Sequence, residues 1–211
     1  MTEIIVGRIH DRGFDKQLAQ GMFCLRHEIF HQRLGWEVES HDGMERDRYD
    51  GLDPTYMVAY EDDRRVSGCW RLLPTTGPYM LRDTFPQLLQ GEAPPSDPAI
   101  WELSRFAVRA GQESACAQAS LNGITFAMLR AAYEFAVLNR IRSYVTVTSV
   151  ALERLMLRAG IPLRRFADRK ARRVGRVLTV ACWIDIDGRL QQALCQPAGR
   201  AAAGRKLREV A

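Results

Sequence analysis

The stretch Ile100-Trp101-Glu102-Leu103-Ser104-Arg105-Phe106-Ala107-Val108 decides how the chain is read. Its aromatic and aliphatic content predicts a β-strand. In a strand, Glu102, Ser104 and Phe106 share one face, and Trp101, Leu103 and Arg105 share the other. Charges inside so apolar a segment are costly to bury unless they are paired. The segment therefore predicts a sheet in mid-chain with ionic partners close beside it.

Working outward, helix and strand signals alternate on both sides. Downstream, Leu121, Ile124, Met128, Ala132 and Phe135 recur at helical spacing across 121–138. A β-branched run at 143–150 predicts a strand, and a helix at about 152–159 stops at Gly160. The last long strand spans 174–186. Upstream, 56–60 and 66–73 read as a hairpin around the charged turn Glu61-Asp62-Asp63-Arg64. Leu18, Met22, Leu25 and Ile29 share one face of a helix over 14–33, and a strand covers 3–9. A short helix lies near 81–90, and 35–54 and the Pro-rich 91–98 read as ordered loops. The fold class is α/β (α+β): a single domain, with a mixed twisted sheet and helices on both faces. The domain is expected to span 1–195, with 196–211, rich in Ala, Gly and Arg, as a flexible tail.

The chain has 211 residues, 46% of them hydrophobic, which suffices for one sizeable core. A formal net charge of +5 suits an acidic partner. Five scattered cysteines without CxxC spacing argue against a disulfide framework or a zinc ribbon and suit a reducing cytoplasm. No apolar run reaches the roughly 20 residues that span a bilayer, so no membrane insertion is expected.

Three clusters carry chemistry. In RHEIFHQRLGW (26–36), Arg26 and Phe30 share a helix face. A guanidinium offers a fork to a carboxylate, and Phe30 and Trp36 offer π faces to a cation. MERDRYDG (44–51) places Asp47 and Asp50 three apart, beside Glu45. The third cluster is WELSRF (101–106), preceded by Arg71 at the end of the hairpin. Arg71, Arg105, Glu102, Asp47 and Asp50 are expected to neutralise one another in a buried network, structural or catalytic.

In this order the clusters are decisive. With GCWRLLPTTGPYML (68–81) between the second and the third, the sequence resembles the LuxI-type autoinducer synthases, the acyl-homoserine-lactone synthases, from about Arg26 to Trp183. The eight positions marking that family are matched by Arg26, Phe30, Trp36, Asp47, Asp50, Arg71, Glu102 and Arg105. The resemblance implies an N-acetyltransferase-like fold. It also implies transfer of an acyl group from acyl carrier protein to the amine of S-adenosylmethionine (SAM), with lactone closure and release of methylthioadenosine (MTA). SAM is a substrate; no cofactor, metal or nucleic acid is implied.

Within that resemblance Glu102 is the expected base, aided by Arg105, Arg71, Asp47 and Asp50. A backbone N–H at an irregularity in the Trp101–Phe106 strand would serve the oxyanion. Arg26, Phe30, Trp36 and Phe106 would bind SAM, and Thr146, Thr148 and Ser149 would line the acyl pocket. The family associates a threonine at the Thr146 position with 3-oxo chains. Arg154, Arg158, Arg165 and Lys170, within a basic run reaching Arg176, would dock the carrier protein.

Two rivals remain in the sequence. His27-Glu28-Ile29-Phe30-His31 is a literal H-E-x-x-H, but Leu34 stands where a metzincin glycine belongs. A coenzyme A-dependent N-acetyltransferase needs a Gly-rich pyrophosphate turn, and 109–116 offers one glycine and an acid.

Overall fold

The computed structural model describes residues 2–109, 123–167 and 170–195, together with the backbone of 207–209. Its strands are β1 (Glu3–Gly7), β2 (Ser40–His41), β3 (Met44–Glu45), β4 (Thr55–Tyr60), β5 (Val66–Pro74), β6 (Ile100–Val108), β7 (Ser143–Ser149), β8 (Arg164–Arg165), β9 (Arg172–Val174), β10 (Val177–Asp185) and β11 (Leu207–Glu209). The helices are α1 (Lys16–Arg26), α2 (Met80–Asp83), α3 (Gly123–Leu138), α4 (Val150–Arg158) and α5 (Gly188–Leu194).

The main sheet runs β11-β1-β4-β5-β6-β7-β10-β8, with β9 also paired to β10. Two neighbour pairs, β6–β7 and β1–β11, are parallel; the others are antiparallel. The expected mixed sheet with helices on both faces is what forms. On one face α3 and α5 bury Phe126, Met128, Phe135 and Leu190 against Met57, Trp70, Leu72 and Leu103. On the other, α1 buries Leu18, Met22 and Leu25 against Ile5, Tyr56, Val58 and Ala107. The strands between the layers are mostly apolar, as a doubly covered sheet requires, with Arg71, Glu102 and Arg105 as charged exceptions. Among the described residues, no helix is long and apolar enough to cross a membrane.

Several boundaries differ from the sequence reading. Asp15 caps α1 by accepting from the Gln17 amide, and after Arg26 the α-helix widens into a π-helical turn, His27–Arg33. The 35–54 segment contains the β2–β3 hairpin and a 3₁₀ turn at Arg48–Leu52. The strand expected over 174–186 starts at Val177, because a turn with φ +55° at Gly175 folds β9 back onto it. Leu207–Glu209, inside the expected tail, pair with β1. Residues 110–116 of the pyrophosphate-turn comparison lie outside the described residues.

The decisive departure is in β6. Its register against β5 slips between Cys69 and Arg71, and Arg105 there has φ +57°. A bulge of this kind places two successive side chains on one face. Simple alternation fails past Ser104 for that reason. Glu102, Ser104, Arg105 and Ala107 face the α1 side, whereas Leu103 and Phe106 face α3.

Candidate active site

The acids and arginines do meet in a buried network, with Arg26 and Glu45 as members and Glu102 apart from it. Asp47 begins the 3₁₀ turn: its side chain accepts from the Tyr49 amide while the Asp50 side chain accepts from the Asp47 amide. This reciprocal capping box fixes both carboxylates and aims them at the sheet. Arg26 donates to both oxygens of Asp50 at 2.8 and 2.9 Å, and through Nε to Glu45. Arg71 donates to Asp47 at 2.6 and 3.1 Å and to Asp50 at 2.9 Å. Arg105 pairs with Glu45 at 3.0 Å and with Asp47 at 2.7 Å. Tyr56 completes the set by donating its hydroxyl to Asp50 at 2.6 Å. Three guanidiniums thus neutralise three carboxylates in a buried layer over the α1 face of the sheet.

Two site expectations change here. Arg26 is fully buried, and its fork is spent on Asp50 rather than presented to a ligand. Glu102 makes no hydrogen bond or ion pair with the arginines, although the charges of Arg71 and Arg105 reach it at longer range. It is fully buried, and its two oxygens accept from the amides of Met80 and Leu81 at 2.9 and 2.6 Å, at the start of α2. Glu45 takes the place expected of it. Sequence reasoning noted Glu45 beside Asp47 and Asp50 but left it unassigned, because the expected network of Arg71 and Arg105 with Glu102, Asp47 and Asp50 already had its acids and did not include Arg26. Met80 was also missed: its sulfur lies 3.0 Å from Arg71 Nη2 and 3.5 Å from Arg105 Nη1, and its amide holds Glu102.

These environments separate the acids chemically. Burial alone would raise the Asp50 carboxyl, but the Arg26 fork and the charges of Arg26 and Arg71 outweigh it and hold it well below the ordinary value. For Glu102 burial prevails over the Met80 and Leu81 amides, and its carboxyl is raised. Cys69, beneath the layer, is pushed up to about 12 by burial.

Phe30 and Trp36 stack at 5.2 Å with planes 7° apart. Gly35, at φ +62°, turns the chain so that the Trp36 amide donates to the Phe30 carbonyl at 2.9 Å. A side chain at that φ would be strained. The cation over Phe30 is Arg105, 5.6 Å from the ring centre, not Arg26. Phe106 lies across the sheet from them, 4.7 Å from Trp70.

The β6–β7 ladder runs from Ile100/Ser143 to Leu103/Thr146. Past it the two strands continue, and a cleft opens between them. Trp70, Leu103, Ser104, Arg105, Phe106, Thr146, Val147, Thr148, Leu152, Met156 and Ile184 line it. The Thr146 hydroxyl donates to the Leu103 carbonyl at 2.8 Å. Ser149 lies beyond the lining, where it caps α4 by accepting from the Leu152 amide.

Arg154 and Arg158 are exposed on α4, and Lys170 is exposed on the loop before β9. Arg165 is not free for a partner: it grips buried Glu153 through Nε and Nη2 at 2.5 and 2.6 Å. His27 and His31 stack at 5.0 Å, and His27 is engaged by Ser40 and Gln32. Among the described residues, no group of three His, Cys, Asp or Glu side chains could hold a metal ion.

A putative N-acetyltransferase from Lactobacillus plantarum has the same fold, with a TM-score of 0.58 at 14% identity over 88% of this chain and 99% of that one. Residues 12–194 match the model of the family described as autoinducer synthase, and the chain belongs to that family of acyl-homoserine-lactone-forming enzymes. It is 43% identical to the acyl-homoserine-lactone synthase of Pseudomonas aeruginosa over 183 residues, 86% of this chain and 89% of that protein. The crystal structure of the acyl-homoserine-lactone synthase LasI superposes with a TM-score of 0.82 at 42% identity, covering 92% of this chain and 95% of that one. BjaI, a CoA-dependent acyl-homoserine lactone synthase solved with SAM and isopentyl-CoA, gives 0.80 at 27% identity over 99% and 93%.

Proposed function

We propose that this protein transfers an acyl group from acyl carrier protein to the amine of SAM, and that the acylated product closes to a lactone as MTA departs. One observation carries the reading. Arg105 lines the cleft and also lies over the Phe30 ring, so the bulge joins an apolar channel on the α3 side to an aromatic pair on the α1 side. An acyl chain suits the first, and a sulfonium amino acid suits the second. The reacting atoms would meet at Ser104–Arg105.

The ammonium of SAM must lose a proton before it can attack a thioester. Glu45, Asp47 and Asp50 have their oxygens engaged by arginines. Glu102 accepts only from backbone amides and has a raised carboxyl. It takes the proton, relayed by a water, because its affinity lies nearer the working pH. The amine adds to the thioester carbonyl, and a backbone N–H at the Arg105 bulge stabilises the oxyanion. The carrier thiol then leaves. Next, the methionyl carboxylate attacks its own γ-carbon, and the C–S bond breaks to give the lactone and neutral MTA. The sulfonium is already a good leaving group, so positioning suffices for this step.

The carrier protein is the preferred donor because Arg154 and Arg158 stand exposed on α4, next to a cleft wall built from Leu152 and Met156. Free thiols at Cys24, Cys69, Cys182 and Cys195 suit a cytoplasmic setting. Side-by-side assays with the same acyl group on carrier protein and on CoA test the donor. The expected result is a kcat/KM at least tenfold higher with the carrier; equal or better turnover of the CoA thioester refutes it.

A further inference from the structure

Glu102 is apart from the arginine layer, yet a chain of hydrogen bonds leads from that layer to it. Its first link is the Tyr49 amide, which donates to Asp47 at 2.9 Å inside the capping box. The Tyr49 hydroxyl meets the Thr84 hydroxyl at 2.7 Å. Thr84 ends α2, and its amide donates to the Met80 carbonyl at 2.8 Å. The Met80 amide in turn donates to Glu102 at 2.9 Å.

α2 needs such support. It has four residues, too few for a helix to hold its shape alone, and its N-cap, Tyr79, makes no side-chain capping bond. Met80 and Leu81 pack in one buried cluster with Tyr49, but apolar packing is non-directional and does not fix where the helix sits along that cluster. The hydroxyl pair is directional. Arg48 donates to the Tyr49 hydroxyl oxygen at 2.8 Å, so the tyrosine's own proton is directed to Thr84.

We propose that Tyr49 is a positioning residue for acyl transfer: through Thr84 it holds α2, and with it the two amides that carry Glu102, in register with the Asp47–Asp50 turn. The inference rests on the reading of Glu102 as the base. A misplacement of about 1 Å can cost about 10²-fold in rate, so the glutamate's oxygens must be held firmly. Without the hydroxyl pair α2 shifts against the turn and the amides loosen. Those amides hold the Glu102 carboxyl down against its burial, so loosening them raises it further. The other charges that reach Glu102 are Arg71 of β5 and Arg105 of β6. On α2, Arg82 and Asp83 pair with each other at 2.6 Å, and the Tyr79 phenol before it donates to the Pro95 carbonyl. All of these stay in place when the Tyr49 hydroxyl is removed.

The test compares Tyr49→Phe and Thr84→Val in the full-length protein, each removing one hydroxyl and keeping the side chain's shape. Lactone formation from SAM and an acyl thioester is followed across pH. In both variants kcat is expected to fall about two- to tenfold, the span of one net hydrogen bond. KM for SAM should hold, because the Tyr49 amide still caps Asp47. The acid limb of kcat against pH should move to higher pH, since a less supported Glu102 takes up its proton sooner. The double variant should lose no more than either single one, because both delete the same bond. Thr84 is exposed, so Thr84→Val decides the matter alone if Tyr49→Phe fails to fold. An unmoved acid limb, a wild-type kcat or additive losses overturn the proposal. If the wild type forms no lactone from any donor, or Glu102→Gln is fully active, the reading beneath it fails instead. A working, Glu102-dependent enzyme with an unmoved limb removes the role of Tyr49 alone.

Discussion

Arg26 holds Asp50 by both terminal nitrogens, at 2.8 and 2.9 Å, with the arginine fully buried. α1 is thereby tied to the 3₁₀ turn, and two opposite charges are buried together. Breaking one half of a buried pair leaves the other uncompensated, so Asp50→Ala should cost about 3–5 kcal/mol. The Asp50 carboxyl is lowered in the fold from its ordinary 3.8. Its stabilisation is therefore fully present above that value and is lost as pH falls through the folded one. Urea unfolding between pH 5 and pH 2 should show a steep decline below about pH 4 in the wild type and a flatter one in Asp50→Ala. Parallel declines would show that another group governs acid unfolding.

Trp36 stacks on Phe30 and is itself only half-buried. If it faces a sulfonium, Trp36→Ala should raise KM for SAM by about twofold to thirtyfold, the span of cation–π energies. Trp36→Phe should recover most of that loss, and KM for the acyl donor should move little. An equal rise in both KM values would make Trp36 a general packing residue.

The basic surface divides into two kinds of arginine. Arg154→Glu with Arg158→Glu should raise KM for the loaded carrier protein about tenfold, with the effect shrinking at high salt. Arg165→Glu should instead lower stability by about 1–3 kcal/mol, reduced from the full buried-pair cost because Arg165 is partly exposed. Thermal unfolding and KM measurements on both variants separate these outcomes.

Much of this architecture was legible in the sequence, and the losses have definite physical causes. The apolar strands β4, β5 and β7 and the periodic α3 were plain because hydrophobic pattern follows burial. The meeting of Arg71, Arg105, Asp47 and Asp50 was also legible, since buried charges need partners. The side-chain facing of Phe106 was not: one bulge at Arg105 reverses it, and no local residue type announces a non-glycine residue at positive φ. Glu102 and Arg26 were misplaced because composition shows that charges must be paired but not which pairs form. That choice depends on the Asp47–Asp50 capping box and on the amides of α2, both products of tertiary position.

The most direct test follows MTA and lactone together in purified protein given SAM and an acyl thioester. One MTA should appear for each lactone formed. Glu102→Gln should slow both by about 10²–10⁴-fold, the usual weight of a general base, while calorimetry shows SAM still bound. MTA release without any lactone, or Glu102→Gln turning over at the wild-type rate, would contradict a glutamate-assisted acyl transfer to the SAM amine.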